Sequence, residues 1–119
     1  MASRNIHRVI AREVLNSRGA PTVEVEITTR RGVFRASAPS SLNSGPKEPL
    51  EQRDGDAARF GGQGVLKSIK VLNEVVAPKL VGLDPSEQFK IDQILIEQDD
   101  PPLGSNAILA VSMAVSVLL

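Results

Sequence analysis

The most regular stretch of the chain runs from Thr22 to Thr28, where Val23, Val25 and Ile27 alternate with Thr22, Glu24 and Glu26. A period of two predicts a strand with one buried face and one polar face. Before it, Ile6 to Leu15 carries β-branched or long side chains without Gly or Pro, and Asn16-Ser17-Arg18-Gly19-Ala20-Pro21 supplies turn chemistry. A first strand and a reversal are expected there. After it, Arg30-Arg31-Gly32 makes a tight connection into Val33 to Ala38, with Phe34, Ala36 and Ala38 on one face and Arg35 and Ser37 on the other. The three segments predict an antiparallel meander.

From Pro39 to Asp56 the apolar periodicity disappears while Pro, Gly, Ser and Asn accumulate, the pattern of a functional lid or a disordered segment. Gly61-Gly62-Gln63-Gly64 then leads into Val65, Ile69, Leu72 and Val76, spaced four, three and four, a helix that Pro78 is expected to terminate. A further helix is announced by Asp84 as N-cap, Pro85 at the first helical position and Glu87 at the third. It is expected to bury Ile91, Ile94 and Leu95 and to end near Asp99-Asp100-Pro101-Pro102. Residues 107 to 119 are apolar except for Ser112 and Ser116, so a helix there is hydrophobic around nearly its whole circumference and must be buried. At 1.5 Å per residue it spans roughly 20 Å, short of the ~30 Å hydrocarbon layer, which favours a core helix over a membrane anchor. It reaches Leu119 with no Gly, Asn or basic stop signal, so the chain is expected to end within an element. The fold class is α+β: a three-stranded antiparallel β-meander followed by three to four helices, one domain over residues 1–119.

Composition narrows the function more than the fold. Of 119 residues, 41% are hydrophobic and 24% charged, and fourteen Lys plus Arg balance fourteen Asp plus Glu. That is globular composition with no global field, so neither nucleic acid nor an anionic membrane is expected as a partner. The absence of cysteine removes disulfides, thiolate nucleophiles and thiolate metal sites, and the opening Met-Ala-Ser-Arg-Asn lacks the apolar run of a signal peptide. A cytoplasmic location is the expectation. With one His and no Tyr or Trp, acid–base chemistry near neutrality could rest only on His7, shifted carboxylates or a shifted Lys.

The local motifs read as structure first. Gly61-Gly62-Gln63-Gly64 could offer backbone N–H groups to a phosphate, but no strand leads directly into it and no Gly-Lys-Ser/Thr follows. Arg53-Asp54-Gly55-Asp56 begins like a calcium loop, yet the twelfth position from Asp54 is Val65 where a Glu is needed. Both read as turns, as does Asp99-Asp100. His7, expected in the first strand on the face of Val9 and Ala11, reads as a partly buried structural histidine. Arg30, Arg31 and Arg35 make a small basic hairpin without aromatic interleaving, a wet edge that discourages aggregation.

The run Ala11-Arg12-Glu13-Val14-Leu15-Asn16-Ser17-Arg18-Gly19-Ala20-Pro21-Thr22-Val23-Glu24-Val25 resembles the opening strand and turn of the enolases. The likeness continues through Phe34-Arg35-Ala36, Arg53-Asp54-Gly55-Asp56, Gly64-Val65-Leu66-Lys67, Ala77-Pro78 and Gly104-Ser105-Asn106-Ala107-Ile108-Leu109-Ala110-Val111-Ser112. It spans essentially the whole chain and matches that family's N-terminal capping domain. The resemblance implies a magnesium-dependent, reversible dehydration of 2-phosphoglycerate to phosphoenolpyruvate. The Lys base, the acid Glu and the magnesium carboxylates of that reaction belong to a barrel domain beyond this segment. The isolated chain is therefore expected to be inactive and to contribute a lid and subunit contacts.

The family's lid loop falls on Pro39-Ser40-Ser41-Leu42-Asn43-Ser44-Gly45, where Asn43 takes the position of the metal-binding Ser and Ser41 that of a Gly. Pro46 and Pro49 also replace residues that are not Pro in the family. The positions of Arg12, Arg18 and Glu24 lie at or near the family's subunit boundary. The bland reading has Arg18 bonding carbonyls of its own turn and Glu24 facing water. The expected partners are a barrel domain or another protein over residues 107–119, and a second copy in a homodimer. The rival to the enzymatic reading is a non-catalytic enolase-related module that uses its sheet edge or its apolar C-terminal helix.

Overall fold

The computed structural model describes residues 5–17, 19–38, 55, 58–59, 64–98 and 104–118. Strands β1 (Arg8–Leu15), β2 (Pro21–Thr29) and β3 (Gly32–Ser37) form one antiparallel sheet in the order β1-β2-β3. The middle strand carries the alternation that marked it in the sequence, with Val23, Val25 and Ile27 fully buried and Glu24, Glu26 and Thr28 half-buried on the other face. The β2–β3 turn has two residues, Arg30 and Arg31, and closes on Gly32, whose φ of 142° an L side chain rarely adopts. His7 departs from expectation: it stands ahead of β1, exposed, and its backbone N–H joins the sheet, donating to the Thr28 carbonyl at 2.8 Å. The strand begins one residue later, and Ile6, not His7, supplies the buried side chain at that end.

One continuous helical run begins at Leu66. It comprises α1 (Leu66–Val71), a π-helical turn (Leu72–Val76) and α2 (Ala77–Leu80). Pro78 does not terminate it. Proline has no N–H to return to the carbonyl four residues back and its ring crowds that carbonyl. The helix accommodates it with one wide turn, in which the Ala77 N–H reaches the Leu72 carbonyl, five residues back. The chain then leaves the helix at Val81 and reverses at Gly82, φ 93°.

Helix α3 spans Gln88–Ile96, starting three residues later than an Asp84 cap and a Pro85 first position require. Side-chain bonds do form among these residues, although the Glu87 N–H goes to the Asp84 backbone carbonyl at 2.9 Å and not to its carboxylate. Asp84 Oδ1 accepts the Ser86 N–H at 2.9 Å and Glu87 Oε1 accepts the Asp84 N–H at 3.2 Å, but they stabilise a separate turn in front of the helix. As expected, Ile91 and Leu95 are buried and Ile94 is packed against the core. Helix α4 (Ser105–Leu118) lies across β2 and β3. It buries Ala107, Ala110, Val111, Ala114 and Val115, while Leu109, Met113 and Val117 remain 41%, 38% and 57% exposed. The expectation of burial all round is thus corrected: small residues pack on the sheet, and the larger apolar ones form a stripe at four-residue spacing on the outside.

The free edge of β1 is closed by side chains and by a loop. At Ala11 the backbone N–H donates to Asn73 Oδ1 at 2.8 Å and the carbonyl accepts from Asn73 Nδ2 at 3.0 Å. One primary amide thus imitates a neighbouring strand. Nearer the start of the sheet, Ile6 exchanges backbone bonds with Leu83 and Gly82, each 2.8 Å. The π-turn is what carries Asn73 to the strand. Replacing Asn73 with Ala leaves two backbone groups of an edge strand to water, and we expect a loss of about 1–2 kcal/mol in stability. Amide exchange should accelerate at Ala11 more than at the β2–β3 pairs, as native-state hydrogen exchange would read. Unchanged protection at Ala11 would remove the amide's role.

Candidate functional site

The sheet face turned away from the helices carries a network of charged side chains. Register fixes it: Arg12 lies directly opposite Glu24, and Glu26 directly opposite Arg35. Alternation then puts all four side chains on one face, within reach of their cross-strand and diagonal neighbours. Arg12 donates from Nη1 to Glu24 at 3.3 Å and from Nη2 to Glu26 at 3.2 Å, and Arg35 Nε donates to the other oxygen of Glu26 at 2.7 Å. Glu26 is the hub, its side chain 13% exposed between two guanidiniums that are 41% and 60% exposed. The hydrogen bond from Arg35 lowers the Glu26 carboxyl below the ordinary glutamate range. Partial burial opposes this, and the charges of Arg12 and Arg35 add to it.

A second ion pair sits on the opposite face. Glu13, in line with Val9 and Ala11, accepts Arg59 through both carboxylate oxygens, and its Oε2 takes the Val65 N–H at 2.9 Å. Helix α1 has no side-chain cap of its own, and this carboxylate serves instead, where the helix dipole favours a negative charge. Glu13 thereby ties the loop at Arg59 and the helix start to β1.

Of the predicted site residues, Arg12 and Glu24 are brought together, as a pair within one chain. Arg18, Ser40, Ser41, Leu42, Asn43, Ser44 and Gly45 lie outside the described residues, as do Gly61 to Gln63, Asp54, Asp56, Asp99 and Asp100. Sequence reasoning missed Glu26 and Arg35 as members of the network, although a two-residue turn at Arg30-Arg31 already sets 26 against 35. Glu13 with Arg59, and Asn73 with Ala11, had no local signal, because they join positions 46 and 62 residues apart. Among the described residues no three or more His, Asp or Glu gather to hold a metal ion, and no helix is long and apolar enough to cross a membrane. Each carboxylate of the two networks faces an arginine, a donor set that does not suit a hard dication.

The Glu26 network sets a sign for acid pH. A carboxylate with a lowered native pKa contributes stability above its unfolded pKa, and that contribution is lost as pH falls through the native value. Glu87 carries the same sign, lowered first by its hydrogen bond from Lys90 and next by the Asp84 N–H. Glu26→Gln is therefore expected to destabilise the chain near neutral pH and to converge on the parent as pH drops below the ordinary glutamate range. Urea midpoints at about pH 7 and about pH 3 test this. A gap that stays constant with pH would sink the assignment.

The Enolase, N-terminal domain family model matches residues 6–118. The enolase of Mastigamoeba balamuthi is 48% identical over 114 residues, covering 92% of this chain and 26% of that protein. Those of Eimeria tenella and Methanothrix thermoacetophila are each 50% identical, covering 92% and 96% of this chain and 27% and 28% of theirs. The chain spans about a quarter of the length of the curated relatives it matches. Sheet, helices and cross-strand charges therefore fall within a match that runs almost from end to end, and the chain belongs to the enolase N-terminal domain family.

Proposed function

We propose that this chain is the capping domain of an enolase-type hydro-lyase and has no turnover of its own. The observation that carries this reading is the ratio of lengths: relatives about half identical to it are roughly four times as long. Family chemistry removes an unacidic proton beside a carboxylate and stabilises the resulting anion with magnesium. By resemblance those groups reside in the barrel, where magnesium supplies charge stabilisation. What this segment contributes is positioning. Residues Ser40 to Gly45 act as the lid, with the Asn43 carbonyl as its donor toward the metal. Arg12, Arg18 and Glu24 form subunit contacts. The position of the Arg12–Glu24 pair on the sheet face away from the helices supports the contact role, since exposed charges can exchange partners with little desolvation.

Adding 2-phosphoglycerate and magnesium to the purified chain and following phosphoenolpyruvate absorbance checks the first claim. A flat trace is expected, and turnover by the pure chain would refute it. The missing Tyr and Trp keep the protein background low in the near ultraviolet.

A second reading, a non-catalytic module that binds protein through its last helix, is favoured by the outward stripe of Leu109, Met113 and Val117 on α4. Sedimentation separates the two readings. If the stripe binds protein without a barrel, the pure chain should self-associate as its concentration rises, and Met113→Glu should return it to monomer. A well-behaved monomer at all concentrations would leave the capping-domain reading alone.

A further inference from the structure

The zero net charge of the chain hides a segregation. Six arginines lie among the described residues, and three of them, Arg12, Arg35 and Arg59, are held by carboxylates. The other three, Arg8, Arg30 and Arg31, are exposed and have no carboxylate within ion-pair distance among the described residues. All three fall at one end of the sheet. Arg8 opens β1 directly opposite Thr28, two positions before the Arg30-Arg31 turn. The exposed His7 precedes it. The nearest carboxylate on that face, Glu26, is already taken by Arg12 and Arg35. Immediately past the turn, Val33 is 53% exposed.

We propose that this hairpin end docks the chain on an anionic phospholipid surface. Three features select that partner. A hairpin tip is convex, so it offers point contacts to a flat field of phosphates and cannot enclose a small anion. Guanidinium groups match phosphate oxygens in bidentate geometry. The exposed apolar residue beside them is a valine, suited to the headgroup boundary, while Phe34, the aromatic residue of β3, pairs with Ile27 on the other face of the sheet, away from Val33 and Arg35, so no ring of that strand is offered to a nucleic-acid base on the arginine face. Whole-chain neutrality argues against long-range steering. It does not oppose a contact made within a Debye length of about 8–10 Å.

Vesicle sedimentation with the 119-residue chain tests the proposal, comparing phosphatidylcholine alone with phosphatidylcholine carrying about 30% phosphatidylserine. Binding is expected only to the anionic vesicles and should fade as salt rises. An arginine near such a surface strengthens binding about fivefold, so Arg30→Ser with Arg31→Ser should weaken it roughly twenty- to thirtyfold. Arg8→Ser, which leaves the turn intact, should weaken it about fivefold. Lys70→Ser with Lys79→Ser, exposed positions on the helices, should bind as the parent does. Equal binding to neutral vesicles, no binding to anionic ones, or full binding by both hairpin variants would overturn the proposal. So would capture of single-stranded RNA without vesicle binding, which would assign the arginines to nucleic acid.

Discussion

In a three-stranded sheet only the middle strand has neighbours on both edges, and here that strand also carries the cleanest separation of apolar and charged side chains. Val23, Val25 and Ile27 present a dry face on which α4 can lie, and Glu24 and Glu26 present acceptors to arginines on both flanking strands. A one-residue slip in either pairing would exchange those faces, burying carboxylates and exposing the core. The two-residue turn at Arg30-Arg31 and the charge complementarity across β1, β2 and β3 select the same register. The core and the charged face are thus two consequences of one alternation.

The outer edge of β1 poses a different problem, because an unpaired strand edge invites association with another chain. The molecule solves it with unlike parts, a loop at Ile6 and an amide at Ala11, and beside them the Glu13 side chain reaches past the edge to the Val65 N–H. Two of the three depend on the helical run beginning at Leu66. The wide turn that admits Pro78 also sets Asn73 against the strand, so a residue that ordinarily breaks a helix here accompanies the turn that seals the sheet. Glu13 completes the arrangement by capping α1 from outside the helix.

Rigid, cross-braced strands hold their exposed charges in a fixed pattern, which is a suitable surface against which a second body can be positioned. The exposed stripe on α4 and the charged sheet face point in different directions from the same core. The domain can therefore meet partners on more than one side without unfolding any part of itself.

Periodicity in the sequence determined the three strands, the α+β class, and the buried sides of α3 and of the helical run that starts at Leu66, since a side chain's direction along a regular backbone follows from its position alone. The run from Ala11 to Val25 was likewise enough to mark the family. The helical run past Pro78, the late start of α3, the exposure of His7 and the stripe left open on α4 were decided only in the folded chain. The exposure of His7 and of the α4 stripe depends on whether a distant segment arrives to cover a surface, whereas the passage through Pro78 and the start of α3 turn on backbone bonds within a few residues that no apolar period marks. The same holds for the site. Arg12 and Glu24 could be named from the family resemblance, whereas Asn73 on Ala11 and Arg59 on Glu13 join positions whose separation in the chain carries no periodic signal, and only the packed fold brings them together.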